Sequence, residues 1–419
     1  MDKRTFLKSL GLLSLSTTSS YASVNKLFDS VSDINPGALA EDEKFWEEIR
    51  KAYRLKPDYI NLENGYYCIQ PEETLENFIK HVREVNYQGS FYMRTVQYDN
   101  KKATAGRLAS LLGCPADELI ITRNTTESLD MIIGGFPWEE GDEAVMAEQD
   151  YGAMLDMFRQ SVKRFGIVNK IVSLPNHPAS DEEIVNLYAS AITPKTKLLM
   201  ICHMVNITGQ ILPVKKICDM AHSKGVEVMV DGAHAFAHFK YSLTDFDWDY
   251  YATSLHKWLS VPLGAGVLCV KKKHISKIWP LIGDGNPNME DIARLNHTGT
   301  HPVHTDLGIN NAIDFYQKIG VERKEARLRY IQNYWTKQVR NLPHLILNTP
   351  EDPKRSCGIA NVGVKNMKPA DMAEALLKKF KIYTVAIDGA DVHGCRITPN
   401  IFTTATELDV FVSALKALV

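Results

Sequence analysis

No apolar run in the chain is long enough to cross a bilayer, so nothing in it asks for stable membrane insertion. It contains no CxxC pair, and its 7 cysteines are an odd, scattered set. That excludes a disulfide framework and a zinc cluster, and no metal is expected. Cys202, Cys218 and Cys269 sit in apolar stretches and are expected to pack in the core. Charge of one sign is lacking too: 48 Lys and Arg stand against 50 Asp and Glu, a formal net charge of −2. Such a balance offers no electrostatic reason for a nucleic-acid partner. The short run Lys271-Lys272-Lys273 is read as a solvated turn after a strand. Internal repeats and low-complexity segments are absent. What remains is an ordinary globular composition, 45% hydrophobic and 23% charged over 419 residues. That length favours one large domain with a smaller one beside it.

The first residues look like an address. Lys3-Arg4-Thr5-Phe6-Leu7-Lys8 precedes a Leu-rich stretch from Leu10 to Leu15, followed by small residues with Ser20-Tyr21-Ala22 as a candidate cleavage site. The pattern resembles a twin-arginine export signal with Lys in place of the first Arg, which points to the periplasm. The alternative is a basic leader with no address on a cytoplasmic protein. Either way residues 1–30 are set outside the fold as leader and linker.

Further on, charges and aromatics recur at helical spacing from Glu41 to Tyr53. Helices are expected from Pro71 to Asn86 and from Asn100 to Leu112, the second closed by Gly113. A regular alternation follows. Strand candidates are 119–122, 143–146, 169–172, 197–201, 227–230, 250–252 and 265–270, with helices at about 126–133, 152–165, 181–192 and 214–224 between most of them. Alternation of this kind predicts an α/β fold with a mainly parallel seven-stranded sheet. One helix from about Asp306 to Leu342 is expected to lead into a smaller α+β unit, with strand, helix and strand at 358–364, 371–379 and 384–387, then Arg396-Ile397-Thr398 and a last helix over 407–418. The domain reading is therefore a segment at 31–60 packing with the small domain, a large domain over 61–305, and the connecting helix with the small domain over 306–419. A ligand would lie at the carboxyl ends of the large-domain strands.

Three stretches carry chemistry. Asp231-Gly232-Ala233-His234 directly follows the apolar run Val228-Met229-Val230. An acid at the end of a buried strand is costly unless it meets a cation or a donor. A protonated pyridine nitrogen is such a partner, and the charged ring is then the better electron sink. A helix N-cap is the plainer reading of the same Asp. Thr253-Ser254-Leu255-His256-Lys257-Trp258 stands past another strand. A Lys among apolar and hydroxyl neighbours can have a lowered pKa and form a Schiff base, while Ser254 and His256 can donate to phosphate. An exposed surface Lys is the commoner fate. Arg123-Asn124-Thr125-Thr126-Glu127-Ser128 opens a helix and offers hydroxyls and free N–H groups to an anion, or is simply a capping box.

Taken together these stretches resemble the class V aminotransferase family of pyridoxal-phosphate enzymes, and within it the isopenicillin N epimerase-like branch. The resemblance runs from about Asn61 to the C-terminus. It rests also on Asn61-Leu62-Glu63-Asn64-Gly65, on His203-Met204-Val205-Asn206-Ile207-Thr208-Gly209-Gln210, and on Arg396-Ile397-Thr398-Pro399. It implies the fold-type I architecture and bound pyridoxal 5′-phosphate. In that frame Lys257 holds the cofactor as a Schiff base and moves protons at the substrate Cα. Asp231 pairs with the ring nitrogen, and Tyr151 stacks on the ring. His234 and Asn206 lie near the phenolic oxygen. Thr125, Thr126, Ser254 and His256 bind phosphate. Thr300 reaches the phosphate of a neighbouring subunit, so the resemblance implies a homodimer. Asn64 and Arg396 bind the substrate, with Arg396 forking onto its carboxylate; for Arg396 the plainer reading is a surface salt bridge.

Two departures narrow the chemistry. Cysteine desulfurases of this class carry a nucleophilic Cys on a loop well upstream of the carboxylate arginine, and the region 380–385 has none. They also tend to stack a His where this chain has Tyr151. The expected activity is thus at the Cα of a small-molecule amino-acid substrate, epimerase-like, with transamination and C–S lysis as alternatives and a non-catalytic binding protein as the reading from another class. Epimerisation needs a second acid, for which Tyr92, Tyr98, His203 and His393 are candidates. Arg94 is a candidate for a distal substrate carboxylate, or a structural ion pair.

Overall fold

Strands that are apolar on both faces need cover on both sides, and the large sheet is built from such strands. The computed structural model describes residues 26–418. Its strands are β1 (Ile60–Asn61), β2 (Leu119–Thr122), β3 (Glu143–Ala147), β4 (Val168–Val172), β5 (Thr196–Cys202), β6 (Glu227–Asp231), β7 (Tyr250–Ser254), β8 (Gly266–Val270), β9 (Leu345–Leu347), β10 (Ala360–Val364), β11 (Ile382–Tyr383), β12 (Val385–Gly389) and β13 (Val392–Ile397). Every residue of β2, β3, β7 and β8 is buried. Side-chain alternation sends Val145, Leu199, Val228 and Val230 to one core and Ala144, Met146, Leu198, Met200 and Met229 to another.

The seven strands run in the order β2-β8-β7-β6-β5-β3-β4. β8 is antiparallel to both of its neighbours, and the other pairs are parallel. This is the mainly parallel α/β sheet expected from the alternation. A second, antiparallel sheet has the order β12-β13-β10-β9, and β1 pairs in parallel with β11. Arg50 reaches Glu407 in a 2.8 Å ion pair, tying the N-terminal segment to the start of the last helix, Ala405–Ala417. No helix among the described residues is long and apolar enough to cross a membrane.

Three expectations need correction. The single helix over 306–342 is two, Val303–Ile319 and Val321–Val339, because Gly320 adopts φ 82° and breaks the ladder. Lys272 and Lys273 are solvated after β8, as expected, but the run opens a short helix, Lys272–Ile275, rather than a turn; Lys271 lies over the Trp248 ring, and Lys273 pairs with Asp249 at 3.3 Å. The export-like leader lies outside the described residues up to residue 25, yet residues 26–30 are helical and Phe28 is buried against Phe45 and Phe315. The fold therefore begins before residue 30.

Candidate active site

The strand ends decide where chemistry can sit. Six carboxyl ends and the amino end of β8 share one edge of the large sheet, and a cavity of about 280 Å³ opens there. Its lining includes Thr125 and Thr126 after β2, Tyr151 after β3, Asn206 after β5, Asp231 and His234 at the end of β6, and Ser254, His256 and Lys257 at the end of β7. The small sheet contributes Arg396 from β13, and the segment after β1 contributes Gly65 and Tyr66. Ten of the twelve residues to which the resemblance gives a role thus meet around one cavity.

Lys257 is held in a tight turn, with Ser260 N donating to Lys257 O at 3.0 Å and Ser260 at φ 59°. Burial holds its ammonium down at about 8, against the opposing pull of the Asp231 carboxylate. Asp231 is itself buried; burial pushes its carboxyl up, while Lys257 and the Ala233 N–H, 2.9 Å from Oδ1, hold it down. His234 Nε2 lies 2.9 Å from Lys257 Nζ, and Trp258 Nε1 donates to His234 Nδ1 at 3.4 Å. Burial and the nearby Lys257 and Arg396 charges push His234 well below the ordinary histidine range, so the imidazole is neutral. Which of His234 Nε2 and Lys257 Nζ donates in their 2.9 Å contact depends on the imidazole tautomer and on the charge of the lysine. The Tyr151 ring centroid is 6.0 Å from Lys257 Nζ across the cavity.

At the other end the helix Thr125–Gly135 starts on the Asn124 cap, whose side chain accepts from Glu127 N at 2.8 Å. Ser254 Oγ lies 2.7 Å from Thr125 Oγ1 and 2.9 Å from Thr125 N. Hydroxyls, a helix N-terminus and His256 thus converge in an anion cradle. His256, kept neutral by burial and by Lys257 at about 4, leaves Nδ1 without a hydrogen-bond partner, as does Asn206 Oδ1. Buried orphan polar atoms facing a cavity mark a site made for a polar ligand. A phosphorylated, ring-bearing cofactor with a basic ring nitrogen fits this donor set: cradle, neutral imidazole, carboxylate and lysine each have a partner on it.

Other predicted residues stand elsewhere. Asn64 is fully buried beside the cavity but does not line it; its Nδ2 donates to Thr398 O at 2.8 Å, so the side chain is spent on holding two segments together. Thr300 is exposed and outside the lining. None of the four second-acid candidates lines the cavity. Tyr92 accepts from Asn100, Tyr98 is exposed, His203 is packed among Phe239, Tyr241 and Phe246, and His393 is on the surface with Asp388. Arg94 also lies outside the lining, in a π-helical turn, Tyr92–Val96. Cys202 is buried as expected, yet it borders the cavity, and burial pushes its thiol well above the ordinary range.

Arg396 is in an ion pair, though not on the surface: its side chain and that of Glu63 are 8% and 6% exposed. Glu63, Tyr66, Leu263 and Trp258 carry no role in the sequence reading, yet Glu63 pairs with Arg396, Tyr66 and Leu263 line the cavity and Trp258 donates to His234. For Glu63 the signal was present: a carboxylate amid Leu62, Asn64 and Gly65 needs a cation once buried.

Comparison with known proteins gives a consistent picture. Residues 70–407 match the model of the family described as aminotransferase class V. The isopenicillin N epimerase of Streptomyces clavuligerus is 28% identical over 393 residues, covering 89% of this chain and 98% of that protein. The isopenicillin N epimerase of Amycolatopsis lactamdurans is 27% identical, with 89% and 98% covered. A cysteine desulfurase from Thermococcus onnurineus shares the fold with a TM-score of 0.78 at 19% identity, covering 89% of this chain and 98% of that one.

Proposed function

Because the chain belongs to the class V aminotransferase family and is an enzyme dependent on pyridoxal 5′-phosphate, we propose that it is an epimerase-like enzyme that inverts an amino-acid substrate at Cα. When bound, the cofactor supplies an electron sink that makes the Cα proton removable. Lys257 would hold it covalently, Asp231 would face the ring nitrogen, and Thr125, Thr126, Ser254 and His256 would take the phosphate. Arg396 would take the substrate carboxylate.

The observation that carries the reading is the pair Lys257 and Tyr151, which face one another across the cavity at 6.0 Å. Inversion needs a proton taken on one side and returned on the other. The lysine, held at about 8, is suited to take it near neutral pH. The Tyr151 ring is the group opposite, and its phenol is the acid the proposal assigns to that side. Desulfurase chemistry is disfavoured by the cysteines. Burial raises Cys68 to about 12 and Cys395 to about 11, and Cys202 well above its usual range, so none offers a ready thiolate.

The test is solvent exchange against inversion on a panel of L- and D-amino acids in deuterium oxide. The expected result for Tyr151→Phe is retained Cα exchange with inversion reduced by about 100-fold or more, the usual scale of a lost acid–base group. Equal inversion in both proteins would overturn the role of Tyr151. A chromophore that bleaches lastingly and returns with a keto acid would mean transaminase, and release of ammonia with a keto acid would mean lyase. A colourless protein even after adding cofactor would sink Lys257 as its anchor.

A second copy of the chain belongs to the proposal. Leu263, at the cavity mouth, is 62% exposed, and Trp279 is 75% exposed with Leu281 and Ile282 close behind it in sequence. Exposed apolar groups suit cover by a second copy of the chain, and Leu263 would bring the active site to that interface. Export in folded form, in keeping with the leader, would place the enzyme in the periplasm; cell fractionation tests it.

A further inference from the structure

A guanidinium donates from Nε, Nη1 and Nη2, and how those edges are spent decides what Arg396 can bind. Glu63 takes one side: Arg396 Nη2 donates to Glu63 Oε1 at 2.6 Å and Nε to Oε2 at 3.2 Å. Nη1 is left with a long contact to Asn206 O at 3.4 Å, and Asn206 lines the cavity. Glu63 is itself anchored. Its Oε1 accepts Tyr66 N at 2.9 Å, and its Oε2 lies 3.4 Å from the Thr398 hydroxyl. Gly65 packs against the guanidinium, where a Cβ would come 3.2 Å from Arg396 Cζ. A side chain at that position would press on the arginine.

We propose that Glu63 is the positioning residue for carboxylate recognition: it clamps the Nε–Nη2 edge of Arg396 and presents the Nη1 end to the substrate. The inference rests on the reading that Arg396 takes the substrate carboxylate. An arginine free to rotate about its long stem must be ordered at each binding event, and that entropy is spent in advance here. A second effect follows from the charge. With Glu63 beside it, Arg396 is already neutralised on one flank, so the substrate carboxylate is chosen by a fork of fixed direction rather than by bare positive charge.

The test uses holoenzyme loaded with pyridoxal 5′-phosphate and two probes followed by visible absorption. One is 2-methylalanine, which has no Cα hydrogen. The other is isopropylamine, the same amine without the carboxylate. The ratio of their dissociation constants isolates what the carboxylate contributes. Arg396→Ala tests the underlying reading and is expected to abolish the preference. Glu63→Gln is expected to cut the preference by about tenfold or more, the scale of one hydrogen bond to a charged group, with isopropylamine binding unchanged. Glu63→Asp keeps the charge but shortens the reach, and is expected to fall between the two; it also serves if the Gln variant does not fold. If Arg396→Ala lowers the ratio and neither Glu63 variant does, the positioning role is wrong and the reading of Arg396 survives. A higher ratio in Glu63→Gln would mean that Glu63 competes with the substrate, which also overturns the role. If Arg396→Ala leaves the ratio intact, both fall.

Discussion

A single methyl group added at Gly266 should damage the anion cradle from behind. Gly266 opens β8, and it is the register partner of Thr122 in β2 and of Ser254 in β7. A Cβ built there would lie 2.7 Å from Asn124 N and Cα and 2.8 Å from Asn124 C. All three are backbone atoms, so no side chain can swing away. Restoring ordinary contact requires a separation of roughly 0.7 Å between β8 and the Asn124 turn, in an interior that behaves like a packed solid. Overpacking of that kind costs about 1–3 kcal/mol. For a chain of this length the unfolding entropy makes each kcal/mol worth about 1 °C, so Tm of the Gly266→Ala apoprotein should fall by about 1–3 °C. The functional loss should be the larger. Asn124 caps the helix whose first turn carries Thr125 and Thr126, and misplacing an anion cradle by that much should weaken pyridoxal 5′-phosphate about tenfold. Scanning fluorimetry and equilibrium dialysis with the cofactor measure the two effects. Gly106→Ala is the control: it sits inside the helix Gln97–Leu112 with nothing within 4 Å of its Cβ, and should gain up to about 1 kcal/mol without touching cofactor affinity. The reasoning is refuted if Gly266→Ala behaves like the control.

Two further outcomes follow from the fold. Asp249 is buried at the opposite edge of the large sheet, with Oδ2 accepting His222 Nε2 at 2.7 Å and Val228 N at 2.8 Å, and Oδ1 at 2.7 Å from His274 Nε2. Burial raises its carboxyl, but those bonds outweigh it and hold it well below the usual range, while the bond to Asp249 raises His222. The lowered Asp contributes stability present above its unfolded pKa of about 3.9 and lost as pH falls through the folded value; the raised His contributes stability present below its unfolded pKa of about 6.5 and lost as pH rises through the folded value. The gap in Tm between the natural chain and Asp249→Asn should therefore be widest between about pH 4 and 6.5 and narrow on both sides; a gap that does not vary with pH would refute the assignment. For the proposed dimer, Trp279→Asp should yield monomer at micromolar concentration by light scattering. The Trp279 backbone stays tied to the helix Thr125–Gly135 through Trp279 N and Gly135 O at 2.7 Å, so the monomer should remain folded; an unchanged dimer would exclude this surface from the interface.

What was legible in the sequence follows from how local the signal was. The large sheet was readable because each of its strands announces itself within a few residues, and because the side chains that do chemistry stand directly after those strands. Asp231, Lys257 and Thr125 are found by walking off the end of β6, β7 and β2. The break at Gly320 was missed because both flanks keep a helical pattern, and a lone glycine does not reveal its φ from its neighbours. Nothing next to Phe28 in sequence marks it as part of the fold, because the packing that keeps it, against Phe45 and Phe315, spans most of the chain.

The site was legible by the same rule and failed by the same rule. Asn64 and Glu63 are adjacent, and the family resemblance gave the substrate role to the amide. The structure gives the contact with Arg396 to the acid, 333 residues away in sequence. No spacing or periodicity encodes that pairing. Only a physical constraint points to it: two opposite charges, each nearly sealed from water, in a region where an unpaired charge would be prohibitive. The arginine was visible as a motif because its neighbours Ile397 and Thr398 travel with it. Its partner was not, because the residues that make Glu63 necessary lie on another strand of another sheet. On the proposed reading, recognition of a substrate carboxylate depends on a pair of which sequence exposes one half, and Glu63→Gln is the substitution that separates the visible half from the whole.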